Sequence, residues 1–126
     1  MKGDELIATG VNRVTDDCDP TAHAEVMAIR AACQKLKTFD LSGCTLYTSC
    51  EPCPMCLGAI YWARLDAVYY AANRVDAAHA DFDDDFIYQE VPISPEKRSL
   101  PFIHLPLDNA IEPFALWGSL TNKVPY

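Results

Sequence analysis

The stretch Thr45-Leu46-Tyr47-Thr48-Ser49-Cys50-Glu51-Pro52-Cys53-Pro54-Met55-Cys56 decides how this chain is read. Thr45 to Ser49 reads as a strand, Cys50-Glu51-Pro52 turns it, and a helix is expected from about Cys53 to Arg64. After Leu65-Asp66, the run Ala67-Val68-Tyr69-Tyr70-Ala71 reads as another strand. Strand, helix and strand in this order imply a right-handed crossover and parallel pairing. The chain is therefore α/β in class. Gly58 within the helix is expected to let it approach the sheet closely, at some loss of helix propensity.

The same stretch carries chemistry. Cys53 and Cys56, one helical turn apart, face the same way, and the partial positive charge of a helix N-terminus favours thiolates. Upstream, His23-Ala24-Glu25 falls in the first turns of an earlier helix. Asp19 can cap that helix and Pro20 suits its first position. Ala22, Val26, Ile29, Cys33 and Leu36 recur with helical period, and Arg30, Gln34, Lys35 and Lys37 form the wet face. His23, Cys53 and Cys56 together are three zinc-type ligands. A catalytic zinc takes three protein ligands and leaves a fourth position to solvent, so that water ionises near neutral pH. Glu25 can meet the same ligand as His23 only close to the helix N-terminal end. It is then free to carry protons between water and a substrate.

Duller readings compete with this one. A lone helical histidine is more often a hydrogen-bonded side chain than a ligand. Cys50 can also be added as a fourth ligand, which closes the shell and makes the zinc structural. That alternative leaves Glu25, a carboxylate beside the metal, with no task to offset its burial. Six cysteines in a short chain can instead be a disulfide framework, but Cys50, Cys53 and Cys56 cluster at three-residue spacing, which favours a metal. Cys18, Cys33 and Cys44 are scattered and are expected to pack as small buried hydrophobes.

The rest of the chain is less explicit. Leu6 to Gly10 reads as a short strand, and Val11-Asn12-Arg13 leaves it for a loop. Val75 to Ala80 and Phe86 to Glu90 look helical, separated by the acidic run Asp81-Phe82-Asp83-Asp84-Asp85. Pro92, Pro95, Pro101, Pro106 and Pro113 punctuate the C-terminal third, with a possible strand at Phe102 to Leu105 and a helix at Ile111 to Leu120. With 126 residues, half of them apolar, the chain can bury one core and is expected to form a single domain over residues 1–126. Ten basic against eighteen acidic residues give a formal charge of −8. Such a surface repels a polyanion, so a small neutral or cationic ligand is expected rather than nucleic acid. No apolar run reaches signal or membrane-spanning length, and the expectation is a soluble, cytoplasmic protein without a membrane partner.

The pattern H-A-E followed by P-C-x-x-C, each opening a helix, resembles the zinc-dependent cytidine deaminase superfamily, which includes the nucleobase deaminases. Within it, the run from Thr48 to Ala63, the segment Phe82-Asp83-Asp84-Asp85-Phe86 and the terminal Tyr126 are similar to the bacterial guanine deaminases. That resemblance implies a three-layer α/β/α fold with a mixed central sheet and helices on both faces, one Zn2+ per subunit, and hydrolysis of guanine to xanthine and ammonia. Glu25 is implied as the proton carrier, with Ala24 offering its backbone N–H to the base. Asn12 serves the acceptors of the purine ring, against the plainer reading of an asparagine in a turn. Asp84, and next to it Asp83, accepts from the ring donors or shuttles a proton to the departing ammonia. Trp62 contacts the base as well as packing with Met55 and Ala59, and Tyr126 closes the active site. The partners implied are a purine base and a second copy, in a homodimer with an exchanged C-terminal segment.

The resemblance also implies a helix and a strand ahead of Leu6, the strand lying between Leu6–Gly10 and the Thr45 strand. The chain is expected to begin downstream of a natural start. Rival readings are an adenosine deaminase acting on transfer RNA, a deaminase of cytosine or another nucleobase, and a non-catalytic zinc module used for assembly.

Overall fold

The computed structural model spans the chain and describes all residues except Asp81 and Asp83. It divides into two compact units, Met1–Tyr88 and Gln89–Tyr126.

The first unit is built on the strand–helix–strand crossover. Strand β1 (Thr45–Cys50) and strand β2 (Ala67–Ala72) pair in parallel, with Tyr47 opposite Tyr69 and Cys50 opposite Ala72. The helices in chain order are α1 (Val14–Asp17), α2 (Ala24–Leu36), α3 (Pro54–Trp62), α4 (Arg74–Ala78), α5 (Asp85–Glu90) and α6 (Glu112–Ser119). α3 is the crossover between the strands, as the sequence predicts. Its C-terminal turn and the loop before β1 close the core: Leu41, Cys44 and Ala63 are buried, with Ile29, Ala32, Cys33, Leu36 and Leu65 packed on them. Two loop bonds hold this junction. Leu41 N–H donates to the Ala63 carbonyl at 2.8 Å, and Gly43 N–H donates to Asp66 Oδ1 at 2.9 Å. The apolar stripe of α2 therefore finds its partner in the turns that flank the sheet, while Arg30, Gln34, Lys35 and Lys37 lie toward solvent.

α2 begins later than the sequence suggests. Asp19 does not cap it; its Oδ1 instead accepts from Thr21 N–H at 2.8 Å and Thr21 Oγ1 at 2.6 Å, closing a local turn. This turn uses up the cap, and His23 becomes the helix N-cap in extended conformation. Cys18 is exposed at the left-handed end of α1, not buried. Cys44 does lie in the core, as expected.

The segment Leu6–Gly10 is not a strand. Met1 exchanges bonds with Thr45, and Lys2 bridges Cys44 and Glu5, but no backbone bond joins residues 6–10 to β1 among the described residues. A groove of about 660 Å³ separates the two, with Ala24, Glu25 and Ala28 also lining it. Strand pairing needs a ladder of backbone hydrogen bonds, and among the described residues none forms here.

Glycine enters this fold through close approach, at a position other than the one expected. Space is open around Gly58, whereas a Cβ at Gly10 would run into the Ala24 carbonyl and reach 2.5 Å from the Ala28 amide nitrogen. Gly10 thus lets the chain cross the first turn of α2 at backbone contact.

In the second unit a short 3₁₀ turn at Pro95–Lys97 precedes α6. Phe102 to Leu105 takes no strand conformation. Arg98 sits over the Phe102 ring at 4.7 Å and donates to the Val91 carbonyl at 3.3 Å. No residue of this unit is buried; Ile103 is 79% exposed and Phe114 70%. Among the described residues no helix is long and apolar enough to cross a membrane.

Gly10→Ala is expected to lower stability by about 2–4 kcal/mol, because the new methyl meets backbone that cannot give way. Urea unfolding checks this, and Gly58→Ala, which meets nothing, should leave the midpoint unchanged or raise it slightly.

Candidate metal and catalytic site

Two helix starts meet beside β1. His23 caps α2 and Cys53 caps α3, each in extended conformation just before the first helical turn. Pro54 at the first position of α3 fixes the entry of that helix, and the Cys56 N–H donates to Cys53 Sγ at 3.5 Å. Pro52 ahead of the cysteine is buried, and its carbonyl accepts from Tyr88 Oη at 2.7 Å, which pins the loop.

The result is a compact donor triangle. Cys53 Sγ lies 3.5 Å from His23 Nδ1, and Cys56 Sγ lies 3.6 Å from the same nitrogen. The three ligand atoms lie within 4.8 Å of one another. Zinc bound tetrahedrally at about 2.3 Å from sulfur and about 2.1 Å from nitrogen places a sulfur and a nitrogen ligand about 3.6 Å apart, so the spacing fits this metal. Cys50 does not join the group; its thiol lies 3.9 Å from the Asn73 carbonyl oxygen. The three-donor set is therefore the one found among the described residues, and the four-ligand, closed-shell alternative finds no support in the geometry.

The cysteine pair shares a proton. The hydrogen bond from Cys56 holds the Cys53 thiol down to about 6, and Cys56, which donates that bond, is pushed well above the usual thiol range, also by burial and by the Glu25 charge. Without metal the pair is one thiolate and one thiol; a bound cation inverts this and needs both as thiolates.

Glu25, at the second position of α2, is 9% exposed and is the one charged side chain that is buried among the described residues. Its Oε2 lies 3.5 Å from Cys56 Sγ, and its Oε1 accepts from Thr48 Oγ1 at 3.3 Å. A carboxylate is thus held at the edge of the donor triangle without belonging to it. Ala24 occupies the intervening first position of α2, half-buried.

The remaining sequence candidates are placed unevenly. Asn12 is exposed, and its Oδ1 accepts from Val14 N–H at 3.0 Å, the turn role that a lone asparagine suggests. Asp84 is partly buried just ahead of α5. After burial itself, its charge is the leading influence raising the Tyr88 phenol, and after burial and the Glu25 charge it also raises the Cys50 thiol. Asp83 lies outside the described residues. Trp62 is 65% exposed at the last position of α3, so the expected core packing with Met55 and Ala59 is not its role. Counting about 1.5 Å per helical residue, it stands about 13 Å from Cys53. Tyr126 ends the second unit and is 72% exposed.

Three residues at the site were not singled out from sequence: Thr48, Tyr88 and Gly10. Thr48 had a usable signal, since alternation along β1 puts it with Leu46 and Cys50 on one face of the sheet. Tyr88 had none, because its bond to Pro52 spans 36 positions.

These features define a zinc-dependent deaminase, and residues 1–72 match the cytidine and deoxycytidylate deaminase zinc-binding region: the chain belongs to that family. It is 55% identical over all 126 residues to the guanine deaminase of Bacillus subtilis (strain 168), covering 81% of that protein. The solved structure of guanine deaminase from Bacillus subtilis superposes with a TM-score of 0.98, over 100% of this chain and 80% of that one. A guanine deaminase from Nitrosomonas europaea is more distant, with 39% identity and a TM-score of 0.58 over 60% of this chain and 44% of that one. The tRNA-specific adenosine deaminase of Aquifex aeolicus (strain VF5) is 36% identical over 89% of this chain and 72% of that protein. The fold is cytidine-deaminase-like α/β, and zinc is the metal the family and the donor set call for.

Zinc affinity should depend on pH through the shared cysteine proton. Between pH 7 and 9 the Cys53 position is already a thiolate and Cys56 still holds its proton, so binding releases one proton and affinity rises about tenfold per pH unit. Below about pH 6, where Cys53 also becomes protonated, the dependence steepens. Chelator competition across this range measures it; a flat profile between pH 7 and 9 would contradict the shared proton.

Proposed function

We propose that this chain hydrolyses guanine to xanthine and ammonia, with His23, Cys53 and Cys56 as zinc ligands and Glu25 as the proton carrier. The observation that carries the reading is the donor triangle with one buried carboxylate at its edge, in a chain related over its full length to a guanine deaminase. Zinc, when bound, supplies a Lewis acid that brings the ionisation of water to neutral pH.

The chain's own groups supply the rest. Glu25 takes a proton from the attacking water and returns protons to a ring nitrogen and to the amine that leaves as ammonia. Asn12 has its carbonyl oxygen occupied by Val14, so its amide N–H groups are what it presents outward, a match for the purine O6 and N7 acceptors. Asp84, with Asp83 beside it, provides the acceptor for the ring N–H donors and a relay for the proton that ammonia carries away. Ala24 offers a helix N-terminal N–H to the base.

Trp62 contacts the base in this reading, and Tyr126 enters it through a second copy. The second unit leaves Ile103, Phe114 and Leu116 exposed and buries nothing, and so short a segment does not hold a core alone. A homodimer in which C-terminal segments are exchanged would cover those side chains and deliver Tyr126 to a neighbouring site. Six free cysteines suit the reducing cytoplasm as the place of work.

The transfer-RNA alternative has a relative in its favour, but a formal charge of −8 opposes gripping a polyanion. The deciding experiment offers guanine, adenine, cytosine and transfer RNA to the zinc-loaded protein. Ammonia from guanine, with transfer RNA left unedited, is the expected outcome; inosine in the anticodon stem would overturn it. Glu25→Gln should keep one zinc per chain and lose about 10²–10⁴-fold in turnover, whereas a merely structural zinc module would be indifferent to the change. Deleting Tyr126 should impair turnover while zinc content holds, and unchanged kinetics would remove it from the site.

A further inference from the structure

The two oxygens of Glu25 face different groups. Oε2 faces Cys56 Sγ at 3.5 Å, and Oε1 accepts from the Thr48 hydroxyl at 3.3 Å. The sulfur belongs to the donor triangle, whereas the hydroxyl lies outside it on β1. The hydroxyl keeps its proton and remains a donor.

Thr48 is well built for that task. It lies inside β1, in register with Tyr70 of β2, so the strand ladder fixes its backbone. Its branched side chain restricts rotation about the first side-chain bond. The bond it makes spans 23 positions and ties the sheet to the first turn of α2.

We propose that Thr48 is a positioning residue. Its hydroxyl anchors Oε1 of Glu25 to the sheet and leaves Oε2, on the Cys56 side, as the oxygen that takes and returns the proton. This rests on the reading of Glu25 as the proton carrier, and the test separates the two.

Full-length zinc-loaded Thr48→Val, which removes the hydroxyl at nearly constant shape, is compared with Thr48→Ser, which keeps it. For Thr48→Val, kcat on guanine should fall about ten- to hundred-fold, the scale of a hydrogen bond to a charged group. KM and zinc stoichiometry should hold, and Thr48→Ser should recover kcat to within about threefold of the unsubstituted enzyme. Independently of activity, the Tm shift from Thr48→Val should shrink in a Glu25→Ala background, because the partner is already gone.

An unchanged kcat in Thr48→Val, additive Tm shifts, or failure of Ser to rescue would each overturn the proposal. Should Thr48→Val not fold, Thr48→Ala is judged by the same criteria. If Glu25→Gln itself keeps full turnover, the underlying reading of Glu25 fails instead, and the two failures cannot be confused.

Discussion

Everything at this site depends on one constraint: two helices must start side by side, so that a histidine nitrogen stands 3.5 Å from one sulfur and 3.6 Å from another. Neither helix can arrange this alone. α3 is fixed by the parallel crossover between β1 and β2 and by Pro54 at its first position. α2 is fixed by its apolar stripe against Leu41, Cys44 and Ala63, and by Gly10, which allows the preceding chain to touch its first turn. Once both starts are in place, the positive end of α3 lies at Cys53 and favours a thiolate there. The buried carboxylate of Glu25 is tolerable there because the Thr48 hydroxyl donates to it.

Much of this is legible in the sequence, for physical reasons. The crossover is readable because strand, helix and strand each have their own period and the turns between them carry proline or an acidic residue. The donor set is readable because Cys53 and Cys56 at one-turn spacing fix a common face wherever the helix packs. The start of α2 is harder: Asp19 has two uses, as helix cap or as the acceptor in a turn with Thr21, and local sequence does not choose between them. Leu6–Gly10 has strand composition but no strand, because among the described residues its backbone makes no bonds to β1.

The substrate contacts are the least legible part, and the reason is again physical. Asn12, Asp84, Trp62 and Tyr126 sit on loops, at a helix end or in a different unit, where no periodicity ties them to the metal. Gly58 and Gly10 make the same point from the packing side. Both are single glycines in ordered chain, yet one faces open space and the other backbone. Composition alone does not tell them apart.

The spacing of the donors along the chain has a consequence for supply and demand in the cell. His23 and Cys53 are 30 positions apart and Cys56 is 33 from His23, so an unravelled polypeptide offers the ion the local Cys53–Cys56 pair but not the three-donor set. Tight capture belongs to the native state, and mass action then shifts the balance toward that state as free zinc rises. The amount of intact enzyme, and not only the fraction that is loaded, becomes a function of how much of the metal its surroundings hold.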